Sequence, residues 1–366
     1  PRPPPPAARD RARRPRILLA AGAAAAVAAV IALAIYGGRS GTQASAQPPP
    51  LKPAPTAVAI VAPKVTVPTV AATIQVGTTP NFVAVSPDGE HAYVANGDAQ
   101  VLTVVDAATN RVTATIPIAA GSPQFLTFAP DGRTLYVTIF NDQHTEHSID
   151  VLDTVSHTEM ATIPQPASPF DPALTPDGKL LYVPNHDVAA VSVIATETNR
   201  VVGQFRVAPN PHSIAFSRDG SRAYTANHES ALVSVINTAT DEVVATIPVG
   251  SGAHSIAVHP NRPLVANVNY QSNSVSVIDT NTLRVVATIP VGQQPEDIVW
   301  SPDGRFAYVV NSGSNTVSVI DAATNQVTAT IPTGAGPSSI AVLPNGRQAY
   351  VSNVDSGTLT VLNLPG

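Results

Sequence analysis

The chain has 366 residues, 44% hydrophobic and 12% charged, with no cysteine. It is too apolar for a mainly disordered chain, and disulfide scaffolds, zinc ribbons, iron–sulfur clusters and thiol nucleophiles are excluded. The net charge of −5 hides an asymmetry, because residues 1–16 carry six arginines and one aspartate while residues 65–366 carry 11 basic and 24 acidic groups; at −13 this larger part repels nucleic acid, which drops out as a partner.

Residues 17–36 read ILLAAGAAAAVAAVIALAIY, with no charge in the run. At about 1.5 Å rise per residue such a helix spans about 30 Å, one bilayer crossing. Arg9, Arg11, Arg13, Arg14 and Arg16 precede it, so the positive-inside bias predicts a cytoplasmic juxtamembrane segment over 1–16 and an extracytoplasmic bulk. The alternative is a cleaved export signal, with Ala44-Ser45-Ala46 as the A-x-A site and secretion after cleavage near Ala46. Residues 37–64, holding Pro48, Pro49, Pro50, Pro53 and Pro55, read as a polyproline stalk. The Pro/Arg-rich start at Pro1 leads us to expect further chain upstream, with a cytoplasmic domain.

From Val65 onward the chain repeats. The ATIPVG-like segment recurs with Ile74, Ile116, Ile163, Phe205, Ile247, Ile289 and Ile331 in equivalent places, at spacings of 42, 47, 42, 42, 42 and 42. Each period holds four short alternating runs, as in HSIAFS, RAYTAN, LVSVIN and EVVATIPV between Pro211 and Gly250. Four strands per period is a propeller blade, and turns such as SPDG at Ser86–Gly89 and Ser301–Gly304 punctuate them. A first outer strand stands before the first inner triplet and none follows the last, so the spacing predicts an all-β, seven-bladed propeller over 65–366. The N-terminal strand, Thr66–Val76, completes the last blade and leaves no open sheet edge.

These segments carry a family resemblance. AYVAN (Ala92–Asn96), LYVPN (Leu181–Asn185), AYTAN (Ala223–Asn227), AYVVN (Ala307–Asn311) and AYVSN (Ala349–Asn353), joined to the SPDG turn, the VSVID strand and the 42-residue period, resemble the YVTN-repeat, YncE-like β-propeller family. Blade two departs from the pattern at Leu135–Ile139 and carries an insertion over Asn141–Ser148, and blade five has Ala266 where tyrosine is expected. The resemblance implies an exported propeller, with a more distant likeness to lactonase-type propellers. Most such proteins have no established activity, so function has to be argued from the site.

In an up-and-down meander the loop leading into each blade and the loop between its second and third strands share one face. Six of the nine histidines fall there: His212 and His254 open inner strands, and His144, His147, His186 and His228 lie in the loops, where they are expected to form a ligand face. His212, His254 and Glu296 occupy equivalent positions of three consecutive blades, so they are the candidate two-His-one-carboxylate site for a transition metal. Histidine after proline also suits a repeat filler whose ring bonds to neighbouring loops. Glu296, Asp171 and Asp142 are candidate general acids and bases. The repeating tyrosines (Tyr93, Tyr136, Tyr182, Tyr224, Tyr308, Tyr350) are expected to pack between blades, and the asparagines that follow them to form turns.

No phosphate loop, G-x-S-x-G elbow or H-E-x-x-H helix is present. The sequence thus leads to a monomeric, membrane-anchored disc without enzymatic activity that binds an extracytoplasmic protein, glycan or small ligand, a layout that suits the outer part of a receptor-type serine/threonine kinase. The alternative is a metal-dependent or lactonase-like enzyme using the histidine-rich rim.

Overall fold

The computed structural model describes residues 67–141, 143 and 145–365. The basic segment, the membrane helix and the stalk expected from the sequence lie outside these residues, as do Asp142 and His144. Among the described residues no helix is long and apolar enough to cross a membrane.

Seven antiparallel sheets of four strands each account for the repeat. Blade one runs outward from the channel as Pro80–Val85, His91–Asn96, Val101–Asp106 and Arg111–Pro117, and the other blades follow the same plan. The last blade is made of Pro337–Val342, Gln348–Asn353, Thr358–Asn363 and, as its outer strand, Thr69–Gln75 from the start of the repeat region. The expected closure is therefore present, with Thr69 opposite Asn363 and Gln75 opposite Thr358.

Burial explains why the strands read as they do. Second and third strands are covered on both faces by neighbouring blades, so Ala92–Asn96 is buried at every position, whereas outer strands alternate and expose valines such as Val112 and Val202. The tyrosines pack between blades as expected and carry their hydroxyls to the next blade. Tyr93 donates to Thr154 O (3.3 Å), Tyr350 to Asn110 Oδ1 (2.7 Å) and Tyr182 to Asp241. The turn glycines bring blades into contact as well: Gly89 has φ +74°, and a Cβ there would sit 3.1 Å from Pro344 of the last blade.

The repeated asparagines correct one expectation. They are buried strand residues rather than turn formers, and each donates from Nδ2 to a hydroxyl on the third strand: Asn96 to Thr103, Asn185 to Ser192, Asn227 to Ser234, Asn269 to Ser276, Asn311 to Ser318 and Asn353 to Thr360, all at 2.9–3.1 Å. Blade two breaks this pair, with Ile139 and Asp150 in the equivalent places. Blade three breaks the inner strand. Pro169 and Pro172 withhold two N–H groups, and only Ala173–Leu174 remains paired along the strand.

One face is fixed by a bond that recurs in all seven blades. The residue at or just past the end of the second strand donates its N–H to the loop leading into the inner strand, as in His186 to Ser168 O and His228 to Asn210 O. The two kinds of loop thus meet at the same end of the channel.

Candidate active site at the channel mouth

A cavity of about 210 Å³ opens at this end. Two consecutive residues from most inner strands reach it, such as Asn81 with Phe82, His212 with Ser213 and Glu296 with Asp297. A strand normally sends neighbouring side chains to opposite faces. Here a bulge directly after the leading proline, as at Pro80/Phe82, Pro211/Ser213 and Pro295/Asp297, turns both toward the channel.

The wall is chemically divided. Phe82, Phe125, Phe140 and Phe170 form one side, with Phe140 and Phe170 stacked at 4.7 Å and Phe82 edge-on to Phe125 at 5.3 Å. The ring series continues into histidines: Phe170 stacks on His186 at 4.5 Å and meets the buried ring of His212 edge-on at 4.5 Å. His212 lies 3.7 Å from His254 between ring centroids, and His254 stacks on Tyr270 at 5.6 Å. His228 completes the group, 5.9 Å from His212 and 5.6 Å from His254.

Glu296 closes this series on the acidic side. His254 Nδ1 lies 2.8 Å from the Glu296 backbone oxygen, so it carries the proton and donates, because a carbonyl only accepts. Its Nε2 then presents a lone pair, 3.3 Å from Glu296 Oε2. Ser312 donates to the other carboxyl oxygen at 3.1 Å. In the layer below, Asp171 accepts from Ser213 (2.9 Å), and Asp297 accepts from Ser255 (2.8 Å) and from the Ile340 N–H (3.0 Å).

Burial moves the protonation equilibria toward neutral forms. It pushes Glu296 up to about 7, against the Ser312 hydrogen bond and with the charge of Asp297 adding to the rise. Asp171 rises to about 7 through burial and the like charge of Asp297. Burial also holds His254 and His228 down to about 4, and His212 well below the ordinary imidazole range, with the neighbouring histidines adding to the effect on His212 and His228.

The structure brings His212, His254, Glu296, His186 and His228 together, as the shared face implied. It does so as a ring stack ending in an acid–imidazole contact. Among the described residues no group of three or more histidine, aspartate or glutamate side chains is arranged to hold a metal ion. His147 opens the third strand of blade two, paired with Phe140, and does not line the mouth. His144 lies outside the described residues. The sequence reading missed Phe82, Phe125, Phe140, Tyr270 and Asp297. The position one beyond the rim residue in each repeat was the available signal for Phe82, Phe125 and Asp297.

Known proteins share this architecture. Residues 197–365, the outer strand of blade three and blades four to seven without the closing strand, match the family model of the seven-bladed β-propeller lactonases. A seven-bladed β-propeller protein of Mycobacterium tuberculosis is 30% identical over 147 residues, 37% of this chain and 36% of that protein, so the chain spans about a third of the relative's length. The chain is a seven-bladed β-propeller protein. Hydrazine synthase of Kuenenia stuttgartiensis superposes on the propeller with a TM-score of 0.71 over 78% of this chain and 96% of that one, at 23% identity, a likeness of fold. The lactonase match overturns the expectation of a disc without enzymatic activity. The matched stretch of the propeller supplies His212, His254, Glu296, Asp297 and Ser338 of the mouth.

Proposed function

We propose that the propeller hydrolyses a lactone or related ester at its channel mouth, with Glu296 as general base and His254 as the acceptor that receives the hydrogen bond of Glu296 once the carboxyl has taken up a proton. The observation that carries this reading is the contact of Glu296 Oε2 with His254 Nε2 at 3.3 Å, in a wall facing four phenylalanines. A carboxyl titrating near 7 is a useful base in its ionised form and a useful acid once protonated. Ionised Glu296 takes a proton from a water that attacks the substrate carbonyl. When the tetrahedral intermediate collapses, the C–O bond of the ring breaks and the same proton passes to the leaving alkoxide. Lactone and water become one hydroxy acid. The match of residues 197–365 to the lactonase family supports this reaction class over others that the same groups allow.

The test is hydrolysis of a panel of γ- and δ-lactones and aryl esters by the full chain, followed by acid release. Turnover that disappears in Glu296→Gln is expected. Absence of turnover above the buffer rate across the panel, or full turnover in that variant, overturns the reading.

We also infer that the propeller works outside the cytoplasm. The support is the uncharged run over 17–36 behind five arginines. Digestion by external protease on intact cells is expected, and complete protection overturns it.

A further inference from the structure

We infer that the channel mouth accepts a ligand that joins an ammonium group to an aromatic or other apolar group, the ammonium seated between Asp171 and Asp297 and the apolar part against Phe125, Phe140 and Phe170. The inference rests on the mouth being a substrate site, as proposed above, and does not depend on the hydrolytic step.

Charge complementarity carries the argument. The described residues lining the cavity include three carboxyls, Asp171, Glu296 and Asp297, and no lysine or arginine. An anionic ligand, such as a phosphorylated or carboxylated lactone, has no cation there to receive it, and a confined cavity strengthens the repulsion by its acids. A neutral ligand leaves the carboxyls without a counter-charge. An ammonium provides one, and Ser213 and Ser255, each already donating to one of the two aspartates, fix the carboxylate orientations around it.

The apolar half favours the same ligand. Phe125 lies 5.5 Å from Phe170 and 6.4 Å from Phe140 between ring centroids, an aromatic wall bordering the acidic layer. Aromatic faces attract an organic cation as well as hydrocarbon. Asp171 directly follows Phe170 in the chain, so one stretch of blade three offers the ring and the carboxylate together. Like repulsion between Asp171 and Asp297, which adds to burial in raising the Asp171 pKa, is relieved when a cation enters. Combined with the proposed reaction, this narrows the substrate to a lactone or ester bearing a free amine.

The test is calorimetric titration of the full chain at pH 8 with 2-phenylethylammonium, 2-phenylethanol and 3-phenylpropionate, which share the ring and differ in charge. The ammonium is expected to bind at least tenfold more tightly than the alcohol, with the carboxylate weakest. Asp171→Asn is expected to reduce the ammonium preference at least threefold, and Phe170→Ala to weaken ammonium and alcohol alike. Asp297→Asn serves as a second variant where circular dichroism shows it folded, since Asp297 also holds the Ile340 N–H. Equal binding of ammonium and alcohol, tighter binding of the carboxylate, no binding of any probe, or an unchanged preference in Asp171→Asn each overturns the inference. Hydrolysis of neutral lactones without ammonium preference would leave the catalytic reading standing and remove this one. Ammonium binding without hydrolysis would do the reverse.

Discussion

His254 turns both ring nitrogens toward a single residue of the next blade, Nδ1 to the backbone oxygen of Glu296 at 2.8 Å and Nε2 to its carboxyl at 3.3 Å. The backbone bond fixes the tautomer, and the tautomer decides that the nitrogen facing the carboxyl is an acceptor. A protonated Glu296 therefore has a partner, and an ionised one faces a lone pair.

The first prediction concerns rate and pH. With Glu296 pushed up to about 7 and acting as base, kcat/KM is low at pH 5, rises through about pH 7 and is level above pH 8. His254, held down to about 4, stays neutral across that range and adds no second limb. Glu296→Gln is expected to lower kcat/KM by about a hundredfold or more and to leave no rise near pH 7. A pH–rate profile of both proteins checks this, and a variant that keeps the rise removes Glu296 as the base.

The same substitution is expected to stabilise the fold in alkaline buffer. A carboxyl whose folded pKa lies above its unfolded value destabilises the native state once the pH exceeds the unfolded pKa, because the native state must then ionise a buried group or hold a proton at a cost. The loss develops from about pH 4.5 to about pH 7 and persists above it. Urea denaturation of Glu296→Gln should show a gain of about 2 kcal/mol at pH 8 and no gain at pH 4. Equal stability at pH 8 would show that the carboxyl is not strained by its surroundings.

His212 is expected to act through packing. Its buried ring lies between Phe170 and His254, so His212→Ala should cost about 2–4 kcal/mol and widen the mouth. His212→Phe restores a ring of similar size and should recover most of that stability. Thermal denaturation of the two variants separates them. Equal destabilisation in both would show that a ring nitrogen, rather than ring volume, is required.

Asp150 is where blade two departs from its neighbours. It is 1% exposed, its Oδ1 has no hydrogen-bond partner among the described residues, and burial together with the charge of Glu159 raises its pKa to about 6. Stability should fall as the pH rises from about 4 to about 6 and stay reduced above that, by about 2 kcal/mol. Asp150→Ser, the residue most blades carry there, should remove this dependence. If wild type and variant show parallel pH–stability curves, Asp150 is satisfied in the native state.

Much of the fold was legible because each blade repeats one solution to the same packing problem, and the closing strand could be found by counting. The rim histidines and Glu296 were legible for the same reason, as substitutions at a fixed repeat position. The aromatic side of the mouth was not. Phe82 and Phe125 become channel residues only because a bulge after Pro80 and Pro123 turns two neighbours inward, contrary to strand alternation. The asparagines were misread for a related reason: Asn96 has a turn former's composition, yet its side chain is engaged by Thr103 across the sheet. No local motif announced the proposed active site, because its groups come from separate blades.

Ring closure supplies the last prediction. Thr69–Gln75 pairs with Thr358–Asn363 across the whole length of the chain's repeat region, buries Ile74, and hands on to Val76, whose N–H donates to Gly357 O (3.1 Å) and whose carbonyl accepts from Thr103 Oγ1 (2.7 Å). A chain beginning at Val76 would lose the strand and expose a ladder edge on the last blade, while a chain beginning at Val65 keeps the strand and covers that edge. An open edge offers unpaired N–H and C=O groups to another molecule, so self-association is the expected consequence. The shorter chain should unfold with a stability loss of more than about 3 kcal/mol and elute as dimers or larger species, in contrast to a monomeric longer chain. Light scattering after size exclusion and urea denaturation decide it. A monomeric shorter chain with an unchanged midpoint would mean that three strands suffice for the last blade and that the closing strand contributes little to the ring.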